Sequence, residues 1–149
     1  MDKSTIWRQI HSERRAMAET LHSLSDLQWQ ADSLCASWTV KDVAAHVISH
    51  PQIGLAQLPG MVGRNLGRGF NAMVLREVKR LGASETPESV LADFVSYDGS
   101  MRHVPGTTVR EPLIDVLVHH QDIVRPLGLG HEMDPEAAAV AADRCRTIA

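Results

Sequence analysis

Aromatic side chains are scarce in this chain: two Phe, one Tyr and three Trp among 149 residues. Its core must therefore be built mainly from Ala, Val, Leu, Ile and Met, a set that suits closely packed helices better than sheets. Cysteine is scarce too. Cys35 and Cys145 are too few for a disulfide framework. With no signal-peptide pattern visible, they lead to the expectation of a reducing, cytoplasmic setting. No apolar run approaches the ~20 residues needed to span a bilayer, so no membrane partner is expected. Positive charge is not in excess. The net charge is −3 and no basic stripe is evident, which argues against nucleic acid as a partner. Arg64 and Arg68 lie in a glycine-rich stretch that reads as a solvated loop rather than a phosphate grip. Segments of β-period, internal repeats, low-complexity tracts and a dividing linker are all missing. The length suits one domain with a real core.

What is present is helical periodicity. From Ser4 to about Leu24, the residues Ile6, Ile10, Met17, Leu21 and Leu24 recur at helical steps and make one apolar stripe. Ser12, Glu13, Arg14 and Arg15 fall mainly on the wet side. Residues 25–38 read as a loop lying against the bundle, because it carries Trp29, Leu34 and Trp38 among turn formers. Trp7 and Trp29 read as core anchors.

A second helix has a strong start signal. Thr39 is placed to cap it, and Asp42 sits three residues on, a capping box with Asp in place of the usual Glu. Trp38 and Val43 have the spacing of a hydrophobic staple. Val43, His46, Val47 and His50 share one face, and Pro51 kinks or ends the helix. Residues 52–69, rich in glycine, read as a crossover or a rim. A short helix over Asn71–Leu81 is expected to stop at Gly82. Thr86-Pro87-Glu88 starts another, which ends near Asp98-Gly99. A further helix runs from about Val109 to Val124, terminated by Pro126, Gly128 and Gly130, and a last one starts at Asp134-Pro135-Glu136.

The candidate chemistry lies on two of these helices. Asp115 and His119 are four residues apart and point the same way, as a helix does when it donates two ligands to one metal. His46 on the second helix would be the third ligand. Two histidines and a carboxylate with an open position describe a catalytic zinc site, or a site for another divalent metal of N/O preference. A plainer reading stands beside it: His46 as a hydrogen-bonded core histidine, and Asp115/His119 as a surface ion pair. The cost of burying such groups among Val and Leu favours the metal. Asp122, three residues after His119, can orient that imidazole from behind, or pair with Arg125. His120 projects roughly 100° from His119 and is a poorer ligand. Cys35 reads as a packed thiol rather than a nucleophile, and Cys145 as incidental. His11, His22, His103 and His131 read as solvated.

At these residues the chain resembles a known family. The stretch Ser33-Leu34-Cys35-Ala36-Ser37-Trp38-Thr39-Val40-Lys41-Asp42-Val43-Ala44-Ala45-His46-Val47 is similar to the N-terminal signature of the mycothiol-dependent maleylpyruvate isomerases, relatives of the DinB-like metal-binding bundles. The stretch from Asp115 through His119, Asp122 and Arg125 to Gly128 resembles the second signature. The resemblance implies an all-α, DinB-like four-helix bundle with a long crossover and extra short helices. It implies a divalent metal, usually zinc, on His46, Asp115 and His119, and mycothiol as a co-substrate, hence an actinobacterial source. It also implies that residues 1–149 are the helical metal-binding domain, and that the α/β domain of longer relatives is absent. Asp115 stands where the family has Glu, and His120 where it has a small residue.

The activity implied is a mycothiol-using transferase or isomerase, in which a metal-activated thiolate adds to an electrophilic small molecule. Two other classes remain open. One is a non-catalytic helical binding module, as a monomer or a homodimer. The other is a DinB-like metal-dependent hydrolase.

Overall fold

The computed structural model describes residues 1–148. Helices form at Lys3–His22 (α1), Asp26–Gln30 (α2), Val40–Ser49 (α3), Leu58–Arg64 (α4), Phe70–Ser84 (α5), Pro87–Ser96 (α6), Arg110–Val124 (α7) and Pro135–Ile148 (α8). Among the described residues there is no strand, only an isolated bridge between Asp32 and Thr39. None of these helices is long and apolar enough to cross a membrane.

Four helices make the bundle. α1 packs on α7, α7 on α3, α3 on α6, and α6 back on α1, which closes the ring. α5 lies against the outside of α3, and α8 against α7. Residues 50–86 form the long crossover between the second and third bundle helices, as expected for the DinB-like architecture.

The starts of the helices follow local chemistry. Thr39 and Asp42 complete a reciprocal capping box on α3: Asp42 N–H donates to Thr39 Oγ1 (3.2 Å) and Thr39 N–H to Asp42 Oδ2 (2.9 Å). Thr86 and Ser89 do the same for α6, with Pro87 in its first turn. Pro51 follows the end of α3: His50 before it still has helical angles (φ −56°, ψ −45°), but proline has no N–H with which to continue the helix.

The apolar interior forms two clusters. One gathers Met17, Leu21, Trp29, Val43, Val47, Phe94 and Ile123. The other gathers Ile6, Trp7, Ile10, Leu113, Leu117 and Ala137. Trp7 and Trp29 are buried core anchors, as read from the sequence.

Several expectations need correcting. Glu13 and Arg14 are buried, not on the wet side. They sit between Ile10 of one cluster and Met17 of the other, where their charges meet partners from distant helices. His131 and His103 are partly buried and hydrogen-bonded rather than solvated. The 25–38 segment contains the short helix α2, whose Ser25/Gln28 capping box offers a local start. Gly82 does not stop α5, which continues to Ser84. It is there because α5 crosses α3 closely: a Cβ at Gly82 would collide with the Asp42 carboxylate. That carboxylate also receives Lys79 Nζ at 2.6 Å, so α5 is locked to the cap of α3.

The crossover is tied down by one acid. Glu77 of α5 accepts from Arg64 (2.8 Å), Asn65 (2.7 Å) and Arg80 (3.2 Å). The Arg64 bond is the chief reason that its carboxyl is held down to about 2, against an ordinary 4.5.

Two outcomes follow. Gly82→Ala gains helix propensity of about 1 kcal/mol. It nonetheless destabilises the fold by about 1–3 kcal/mol in urea unfolding, because the added methyl displaces the capping carboxylate. For Glu77, the unfolded chain binds a proton more readily than the folded one. Its stabilising contribution is therefore whole above pH 4.5 and is lost as the pH falls toward 2. The difference in urea midpoint between wild type and Glu77→Gln is expected to shrink across that window.

Candidate metal centre

α7 brings Asp115 and His119 onto one face, and the contact with α3 sets His46 opposite them. Asp115 Oδ1 lies 3.4 Å from His46 Nε2 and 3.4 Å from His119 Nε2. The rings of His46 and His119 are 5.3 Å apart, edge to face. Asp115 thus stands between the two imidazoles read from the sequence as its fellow ligands, although His119 falls in a different set of mutually close donor atoms, with Cys35 and Asp122. His46, Asp115 and His119 are largely shielded from solvent, with side-chain exposures of 15–18%.

A fourth group was missed as a ligand. His50 Nδ1 is 3.1 Å from Asp115 Oδ2, and His46, His50 and Asp115 present donor atoms within 4.8 Å of one another. The signal was present: His50 is one helical turn after His46, on the face already read as inward.

Asp122, expected from the sequence to orient a ligand imidazole or to pair with Arg125, lies against His119. Asp122 Oδ2 is 2.9 Å from His119 Nδ1, on the side of the ring away from Asp115. The two nitrogens of one imidazole are therefore each addressed by a carboxylate. The loop before α3 adds to this clasp. Leu34 N–H donates to the Asp122 carbonyl (3.0 Å), and the Cys35 thiol donates to Asp122 Oδ2 (3.2 Å) while lying 3.6 Å from His119 Nδ1. Cys35 is thus a packed thiol with polar partners that one-dimensional reading could not supply. Trp38 leans on both histidines, with ring separations of 5.2 Å to His46 and 5.8 Å to His119.

The electrostatics are those of a buried anion among imidazoles. Burial alone would raise the Asp115 carboxyl, but the neighbouring histidines outweigh it and hold the group well below the ordinary carboxylate range. Burial depresses His50 to about 4, so it is neutral at physiological pH. His119 goes the other way: burial opposes its charge, yet bonds with Asp115 and Asp122 push it upward. Buried Arg14 is near enough for Asp115 to offset part of the burial penalty on its guanidinium.

The donor set fits a divalent metal. Asp115 Oδ2 is buried and makes no hydrogen bond among the described residues; His50 is close to it but not in line. An oriented carboxylate with an unused lone pair, ringed by imidazole nitrogens, is a natural ligand set for a borderline cation.

A cavity of about 830 Å³ opens beside these groups. Its inner end is His46 and His50, and Met61, Met73, Val78 and Tyr97 line its apolar walls. The outer wall is the α4–α5 crossover, so the glycine-rich rim expected from the sequence encloses a space. The charged side chains Arg64, Glu77 and Arg80 at its edge satisfy one another.

Comparison with known proteins agrees with the first of the two signatures; the match ends before the second, which begins at Asp115. The family described as the mycothiol maleylpyruvate isomerase N-terminal domain matches residues 10–104, which include Trp38, the capping box and His46. No curated protein and no solved structure matches the chain. The match covers more than half of the 149 residues, and the closed helical ring around His46 is the architecture that this resemblance implies. The chain belongs to the mycothiol maleylpyruvate isomerase N-terminal domain family.

Proposed function

We propose that this protein is a zinc-dependent, mycothiol-using transferase or isomerase, with His46, Asp115 and His119 as the metal ligands. The observation that carries the reading is the single Asp115 oxygen, 3.4 Å from both Nε2 atoms, with its second oxygen buried, 3.1 Å from His50 Nδ1 and free of any hydrogen bond among the described residues. A divalent cation bound there would stabilise a thiolate at neutral pH, where a free thiol of pKa ~8.5 is mostly protonated.

The chain's own residues do the rest. Asp122 holds His119 with Nε2 turned inward and takes the N–H at Nδ1, the carboxylate–histidine arrangement that orients metal ligands. Loading of the site requires His119 to give up the proton that Asp115 and Asp122 stabilise on it, so the cation replaces a proton in the same charge balance. Trp38 packs against His46 and His119 and limits their rotation. His50, neutral at pH 7, offers a further nitrogen in the lining of the cavity. The cavity, which His46 and His50 help to line, supplies a largely apolar space for a small electrophile beside the ligands. Asp115 is one methylene shorter than the family's Glu, and its Oδ1 nonetheless lies 3.4 Å from Nε2 of both His46 and His119.

Metal analysis after zinc reconstitution tests the ligands. The His46→Ala/His119→Ala double variant is expected to hold one equivalent less than wild type. Equal zinc in the two proteins would end this reading. With electrophiles, turnover is expected to depend on mycothiol; turnover without a thiol would favour a metal-dependent hydrolase. Asp122→Ala leaves the ligands in place and is expected to weaken zinc about 10–100-fold in competition with a chelator.

A further inference from the structure

A second cluster of ligand-type side chains lies on the opposite side of α7. His120 follows His119 directly, but a step of about 100° turns it away from α3 toward α1. It is fully buried. Its Nδ1 is 2.8 Å from Glu13 Oε1, and His131 Nε2, from the segment before α8, is 2.6 Å from the same oxygen. The two imidazoles stack with centroids 3.8 Å apart and planes 28° from parallel. The donor atoms of Glu13, His120 and His131 lie within 4.8 Å of one another. Three segments far apart in the chain have been brought to one point in the interior.

We infer that Glu13, His120 and His131 form a second divalent-cation site, separate from the one on His46, Asp115 and His119. Two imidazole nitrogens and one carboxylate oxygen make a donor set for zinc or a similar borderline cation. A buried carboxylate held between two imidazoles needs compensating charge. A divalent cation between them supplies the charge.

The outer partners are in place. Thr20 Oγ1 is 3.0 Å from His120 Nε2, which can hold the ring with Nδ1 as the inward donor atom. Gln121 donates to the His131 carbonyl at 3.1 Å and anchors the segment that carries the third ligand. His131 keeps 17% of its side-chain surface exposed, while His120 has none, so entry is from the His131 side and water can complete the coordination. Ligand atoms on a tetrahedral zinc are roughly 3.3 Å apart. The 2.6 Å His131 contact must therefore open by about 0.7 Å on binding, which the segment before α8 can supply, and the 2.8 Å His120 contact by about 0.5 Å, which falls to the Glu13 side chain. The role is structural: the cation would clamp α1, α7 and the approach to α8.

The test is a zinc titration of chelator-stripped protein, with bound metal counted and folding followed by circular dichroism. Wild type is expected to take two equivalents. His46→Ala/His119→Ala is expected to keep one, and to show a zinc-dependent rise in its thermal midpoint. His131→Gln, which retains a hydrogen-bond donor for Glu13 outside any helix, is expected to keep one; the two sets of changes combined leave none. A single wild-type equivalent unaffected by His131→Gln overturns the second site, as does a folded double variant that takes no zinc. One equivalent that survives in the double variant and vanishes in His131→Gln upholds the second site while removing the first.

Discussion

The structure turns on a buried anion. Asp115 is a carboxylate inside a helical bundle, and a charge so placed is costly unless opposite charge and directed donors surround it. Three imidazoles from two helices and the guanidinium of Arg14 provide that surrounding. The packing of α7 against α3 and α1 is arranged around this requirement as much as around the apolar clusters. It explains why polar residues occupy the middle of α1 and α7, and why the core is split in two.

α7 is the element on which the charge balance is organised. Its Asp115 and His119 face α3, its His120 faces α1, and its Asp122 meets the loop before α3. Each of these side chains engages a residue distant in sequence. Their partners fix the rotation of the helix about its own axis: a turn of one residue position would point His120 at α3 and His119 at the wrong neighbour. The crossover plays a different part. Glu77 ties α4 to α5 within it, and the Lys79–Asp42 pair with the close contact of Gly82 fastens α5, a wall of the cavity, to the start of α3.

Much of this was legible in one dimension, and the legible parts share a cause. The capping boxes at Thr39 and Thr86, the apolar stripe of α1 and the Asp115/His119 spacing are all local, set by side chains within one or two turns. The misreadings share a cause too. Glu13 and Arg14 looked like wet-side residues because their partners, His120, His131 and Asp115, are distant in the chain. Gly82 looked like a stop because its reason for being glycine is the Asp42 carboxylate on another helix. His50 was placed on the right face but left out of the cluster, since only the approach of α7 shows that Asp115 has a second oxygen to offer it.

By itself the sequence determined an all-helical chain, the starts of its main helices and the residue types that could meet at a metal, because periodicity, capping and i,i+4 geometry act over a few residues. It also determined family membership, through the motif around Trp38 and His46. Only the tertiary structure decided which charges are buried, which oxygen of Asp115 faces which imidazole, and that two histidines adjacent in the chain serve opposite sides of one helix. Desolvation and Coulomb energies depend on distances between groups far apart in sequence, and no local pattern encodes those distances.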